Sequence, residues 1–115
     1  MIIVTSKKVF KNTTVTSDSF SINPRENVEF HIFPTAYDKS KQSMVVYIEC
    51  THDGGKTWNT YLKAWGEQSP LNDDFSKGFM YGLYPLHDKI NESCQVRLRI
   101  EVTGELELSI EGGVV

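Results

Sequence analysis

The residues of this chain that could do chemistry gather around its middle. The first group is Thr51-His52-Asp53-Gly54-Gly55-Lys56-Thr57-Trp58. Asp53 can accept hydrogen bonds from backbone N–H groups just ahead of it and close an Asx-type turn. Gly54 and Gly55 allow left-handed backbone angles that other residues resist. The hydroxyls of Thr51 and Thr57 can bond across the turn or back to it. Trp58 can fold over the base of a hairpin and bury a large ring. Thr51, Asp53, Gly55, Thr57 and Trp58 therefore read as a self-consistent structural turn.

A second group is acidic: Glu67, Asp73 and Asp74. Glycoside hydrolysis needs two carboxylates held ~5–10 Å apart across a cleft. These acids fall in a polar connection over residues 66–77, and the reading is a solvated loop. A third group is aromatic: Tyr61, Trp65, Phe75, Phe79 and Tyr81. If Trp58, Leu62 and Ala64 face a core, strand alternation turns Tyr61, Lys63 and Trp65 outward. An exposed Trp/Tyr row suits a protein interface or a sugar platform. These five aromatics are the expected contact residues, with 66–77 as the adaptable element, since connections of that length usually carry function.

Metal and nucleophile chemistry find little support. His31 alternates with apolar residues, which points it outward from a strand; His52 and His87 each precede an aspartate, with no HxH or HExxH spacing. Cys50 and Cys94 each sit in or beside an alternating apolar run and read as two small buried thiols. A bridge between them depends on a Cα distance that sequence does not give, and neither belongs to a C-x-x-C pair. No nucleophile elbow or phosphate-cradling loop is present. No catalytic residue, metal or cofactor is assigned, and the chain is not expected to be an enzyme.

The elements that must hold these groups are strands. Val28, Phe30 and Ile32 alternate with Glu29 and His31; Val46, Ile48 and Cys50 alternate with Tyr47 and Glu49. Val96, Leu98, Ile100 and Val102 alternate with Arg97, Arg99 and Glu101, and Leu106, Leu108 and Ile110 alternate with Glu105, Glu107 and Ser109. Period two of this kind predicts half-buried antiparallel strands. Only Thr103-Gly104 separates the last two runs, which predicts a tight hairpin with Gly104 at φ > 0. Further strands are expected over 2–10, 14–22, 57–65 and 78–84, and a single helical turn over 86–92. About eight short strands predict one all-β domain over residues 1–115, a single antiparallel β-sandwich of jelly-roll-like or immunoglobulin-like form.

Composition sets bounds on partners. The chain has 115 residues, enough for one domain that buries roughly two-thirds of its unfolded surface. Its net charge of −3 and scattered basic residues argue against nucleic acid, which needs clustered Lys and Arg. No apolar run approaches the ~20 residues of a membrane span. Met1-Ile2-Ile3-Val4-Thr5 has no basic leader with an apolar stretch behind it, so no signal peptide is expected.

Two resemblances add to this. Thr51, Asp53, Gly55, Thr57 and Trp58 resemble the Asp-box of sialidases and other β-propeller proteins, with Thr in the first position where Ser is more frequent. In those families the box is a structural turn away from the catalytic centre. The resemblance therefore implies no catalytic residue, and the arginine cluster, tyrosine nucleophile and acid of a sialidase have no counterpart in the chain. More of the chain is similar to small all-β proteins of tailed-bacteriophage virions. The order is an N-terminal strand pair, then V-V-Y-I-E-C-T-H-D-G-G-K-T-W, a long polar loop, and Q-V-R-L-R-I-E-V-T-G-E-L-E-L-S-I-E. Glu105 stands where a second glycine is common in that set. This resemblance implies a non-enzymatic virion component, a head decoration or a tail or neck accessory protein, assembled in the bacterial cytoplasm. Its partners would be other virion proteins or further copies of itself. The alternative is a carbohydrate-binding module with Trp65 and Tyr61 as the stacking platform and Asp73 and Asp74 as polar contacts. Glu105, Glu107 and Glu111, on the outer face of the last strand, are expected to discourage indiscriminate edge pairing.

Overall fold

The computed structural model describes residues 2–24, 26, 28–35, 40–65, 79–83 and 93–114, with backbone alone for 61–65 and 79–83. The described residues form seven strands: β1 (Ile2–Thr16), β2 (Phe20–Ile22), β3 (Val28–Thr35), β4 (Ser43–Thr51), β5 (Asn59–Trp65), β6 (Phe79–Leu83) and β7 (Cys94–Val114). All pairings are antiparallel and join the strands in one continuous sheet of order β5-β4-β7-β3-β6, with β1 and β2 also on β7.

The organising element is β7, 21 residues long. Its even-numbered residues Cys94, Val96, Leu98, Ile100, Val102, Leu106, Leu108 and Ile110 are all buried. One edge of β7 pairs with β4 over Gln95–Thr103 and then with β3 over Glu107–Val114. The other edge pairs with β2 over Cys94–Val96 and with β1 from Arg99 to Gly112. Val28, Phe30 and Ile32 of β3 and Met44, Val46 and Ile48 of β4 join β7 in a single core cluster, as do Val4, Val15 and Ile22. Each such side chain taken out of water contributes ~1.5–3 kcal/mol. This inward set is the one the period-two alternation marks.

The hairpin expected at Thr103-Gly104 does not form. Gly104 takes the left-handed φ of +84°, as its position called for, but the chain runs on through it. Lys11 pairs with Glu105 and Thr13 with Val102, so Thr103 and Gly104 of β7 stand opposite Asn12 alone. This is a β-bulge, an extra residue that bends a strand without ending it. Asn12 is itself left-handed, at φ 44°, and its side-chain oxygen accepts the Gly104 N–H at 2.7 Å. A Cβ at Gly104 would lie 2.6 Å from the backbone oxygen of Lys41. The bulge falls where the partner of β7 changes from β4 to β3, so glycine serves both the backbone angle and the crossing chain.

Merging of expected strands lowers the count. The runs 96–102 and 105–110 become one strand, and residues 2–16 absorb the first expected strand with the start of the second. The all-β, antiparallel class expected from sequence holds, with seven strands among the described residues joined in one sheet. The helical turn expected over 86–92 and the connection over 66–77 lie outside the described residues. Among the described residues, no helix is long and apolar enough to cross a membrane.

Candidate functional site

The motif turn leaves the end of β4. Thr51 is buried, and its hydroxyl is the hub. It donates to Asp53 Oδ1 at 2.7 Å and accepts the N–H of Gly55 at 3.0 Å. The same Asp53 oxygen accepts the N–H of Thr57 at 2.9 Å. Gly54 and Gly55 have φ of 73° and 93°. The Thr57 N–H, and after it the Thr51 hydroxyl, hold the Asp53 carboxyl down to a pKa of about 2. The carboxylate of Asp53 is thus engaged in closing the turn.

Trp58 departs from expectation. Its ring is half-buried rather than enclosed, and it packs on the outer face of the sheet, with the guanidinium carbon of Arg97 3.9 Å from the ring centroid. Cross-strand register extends this contact into a larger cluster. Glu49 of β4 stands opposite Arg97 of β7, and Tyr47 opposite Arg99. The Nε of Arg97 donates to Glu49 Oε1 and the Nε of Arg99 to Glu49 Oε2, both at 3.0 Å. Arg99 also lies 4.1 Å from the centroid of the Tyr47 ring and donates through Nη1 to Glu101 at 2.7 Å. The result is a continuous outer-face array, Trp58–Arg97–Glu49–Arg99–Tyr47, in which one carboxylate clasps two guanidiniums and each guanidinium covers an aromatic ring.

Electrostatics accord with this geometry. Burial works against the charged form of Arg99, but hydrogen bonds and charge from Glu49 and Glu101 outweigh it and raise its pKa. The Glu49 side chain is 8% exposed, against 22% and 24% for Arg97 and Arg99. Two arginines meet two acids, so the array is close to neutral while presenting aromatic and guanidinium surface.

Beneath the turn lies a cleft of about 210 Å³, lined by Ser21, Thr51, His52, Gly54, Ser93, Cys94 and Gln95. Cys50 and Cys94 are both free and buried. Burial and then the charge of Glu49 raise the Cys50 pKa, while burial and then the neighbouring Cys50 raise that of Cys94 to about 11. Among the described residues, no three His, Cys, Asp or Glu side chains converge as metal ligands.

No family model, curated protein or solved structure matches the chain.

Of the residues singled out from sequence, Thr51, Asp53, Gly55, Thr57 and Trp58 come together in the turn. The expected contact residues divide. Tyr61 and Trp65 belong to β5, and Phe79 and Tyr81 to β6, at opposite ends of the strand order. Thr60 pairs with Glu49 and Leu62 with Ile48, while Lys63 pairs with Tyr47 and Trp65 with Val46. The backbone register of β5 against β4 therefore shifts at Tyr61 and at Ala64. Phe75, Glu67, Asp73, Asp74 and His87 lie outside the described residues. His31 does face away from the core, and its Nε2 sits 3.3 Å from Glu29 Oε2.

Sequence alone does not disclose the array, although alternation places Tyr47, Glu49, Arg97 and Arg99 outward. The missing piece is the β4–β7 register that sets Glu49 between the two arginines.

Proposed function

We propose that the protein is a non-enzymatic structural or interaction protein, a virion component of a tailed bacteriophage that docks on a symmetric assembly as a head decoration or a tail or neck accessory. One observation carries the docking part: the array Trp58–Arg97–Glu49–Arg99–Tyr47 on the outer face of β4 and β7. Tryptophan, tyrosine and arginine dominate binding energy at protein interfaces. Here they are held in place by one another before any partner arrives, which lowers the ordering cost of association. The virion part rests on the resemblance in strand and turn order. It makes other virion proteins, or further copies of this chain, the expected partners. The same reading takes the sheet as folded over its core in jelly-roll-like fashion. Support comes from β3 and β4, which pair with different halves of β7 yet feed one buried cluster.

Mass spectrometry of purified, salt-washed particles tests the proposal. The protein is expected at a stoichiometric copy number, and its absence would sink the virion assignment. A glycan array run in parallel addresses the carbohydrate-binding alternative. Binding of a defined sugar that disappears in Trp65→Ala would replace docking with sugar recognition as the main role.

A further inference from the structure

The two cysteines lie on the inward side of neighbouring strands. Cys50 stands opposite Val96 and Thr51 opposite Gln95. Cys94 is therefore one diagonal step from Cys50 on the same face. Both thiols are buried and unbonded. Cys94 also lines the cleft under the motif turn, together with the hydroxyl-bearing Ser21, Thr51 and Ser93. Cys94 thus borders a polar opening to solvent.

We propose that Cys50 and Cys94 form a two-coordinate site for a soft, thiophilic cation of the Cu(I) class, entered through this cleft. A disulfide needs Cβ atoms ~3.5–4.5 Å apart and sulfurs ~2 Å apart. Residues directly opposite on antiparallel strands come close to that, but diagonal neighbours are ~7–8 Å apart, somewhat less between Cβ atoms. Two metal–sulfur bonds of ~2.3 Å laid in line hold the sulfurs ~4.6 Å apart. The extra ~2.5 Å is about what the diagonal step adds. The register that works against a direct bond therefore accommodates a bridging ion.

Ligand chemistry narrows the ion. A tetrahedral zinc site needs four ligands and a calcium or magnesium site needs several oxygens. Neither set is present among the described residues. Two thiolates alone suit a soft cation. Uptake of Cu(I) breaks two S–H bonds, forms two Cu–S bonds and releases two protons to water, with no change in oxidation state.

The test uses reduced, full-length protein titrated without oxygen against Cu(I) held on a competing chromophoric chelator. Uptake of a single ion per chain is expected, with thiolate-to-copper charge-transfer absorption in the ultraviolet, and with loss of uptake in Cys50→Ser and in Cys94→Ser. No uptake, or uptake that survives in both variants, overturns the site. Should a serine variant fail to fold, alkylation of the wild-type protein supplies the readout. Cu(I) is expected to protect Cys94 from iodoacetamide, and an unchanged alkylation rate overturns the site. Mild oxidation of the metal-free protein with diamide is expected to leave both thiols free. Rapid, complete disulfide formation would place the sulfurs too close together and overturn the spacing argument.

Discussion

Glu49→Gln is the sharpest perturbation of the outer-face array, because it keeps the shape of the side chain and removes the charge on which two guanidiniums converge. The wild-type carboxylate is 8% exposed and takes the Nε of each arginine at 3.0 Å. Hydrogen bonds to charged groups contribute ~1.5–3 kcal/mol each. The amide oxygen of glutamine can keep one donor, and the arginines, 22% and 24% exposed, can turn partly to water. The loss should therefore fall below the ~3–5 kcal/mol of a fully buried broken pair, at about 2–3 kcal/mol. For a chain of 115 residues, at about 4 °C per kcal/mol, the melting temperature should drop by roughly 8–12 °C.

The assay is urea unfolding followed by circular dichroism, at low and at high salt. The midpoint should fall with the slope unchanged, and salt should alter the difference little, since the carboxylate is shielded from solvent. A second readout is local. Arg97 packs on Trp58, so its release should shift Trp58 emission, measured in a Trp65→Phe background. A double-mutant cycle of Glu49→Gln with Arg97→Gln isolates the pair, which should show coupling above ~0.5 kcal/mol. A loss under ~0.5 kcal/mol in Glu49→Gln, with Trp58 emission unmoved, would refute the view that this carboxylate organises the face.

Three further perturbations separate the turn from the array and the bulge. Asp53 has a folded pKa of about 2 against an ordinary value of ~3.9. Its contribution should be complete above pH ~4 and lost as pH falls toward 2, so thermal melts across that window should show a smaller decline for Asp53→Asn than for wild type. Trp58→Ala should cost about 1–2 kcal/mol in denaturant melts rather than the ~3 kcal/mol or more of an enclosed ring, because the indole is half-buried and held by one guanidinium. Gly104→Ala should cost about 2–3 kcal/mol, combining the +84° φ with a Cβ 2.6 Å from the Lys41 oxygen; equal stability in thermal melts would mean the bulge relaxes freely.

How much the sequence discloses depends on the range of the forces involved. Alternation is local, so it marks Phe30, Ile48, Leu98 and Leu108 as inward without knowledge of their partners. The turn is equally readable, because Thr51, Asp53, Gly55 and Thr57 bond mainly to one another. Gly104 shows where local chemistry stops. A left-handed glycine between two alternating runs fits a hairpin and a bulge equally well, and the choice is made by β1 and the chain at Lys41, both far away in sequence. Glu49 shows the same limit on the polar side. By alternation it is a solvent-facing acid; only register puts Arg97 and Arg99, 48 and 50 residues away, on its two oxygens.

Continuity of β7 also relocates the guard against stray edge pairing. Glu107 and Glu111 cannot serve that role as strand-edge residues, because both edges of β7 are already paired there, while Glu105 pairs with Lys11 on one edge and its carbonyl accepts from Gln42 Nε2. Among the described residues, β7 is the one strand that pairs with β1, and the Val4 carbonyl of β1 accepts the Asp18 N–H at 2.7 Å. That strand carries Lys7, Lys8 and Lys11 beside exposed Ile2, Ile3 and Val9. Lys7 meets Glu107 at 3.5 Å, and Lys8 lies 5.8 Å from the Phe10 ring. Register shifts between Ile3 and Thr5 and between Thr5 and Lys8 interrupt the strand further. Pairing two copies through β1 would bring lysine clusters together across irregular backbone, which natural edges use to prevent such contacts. The docking proposed above is thereby turned away from strand addition at β1 and toward the broad face of the sheet, where the clasped arginines and their aromatic partners already stand in place.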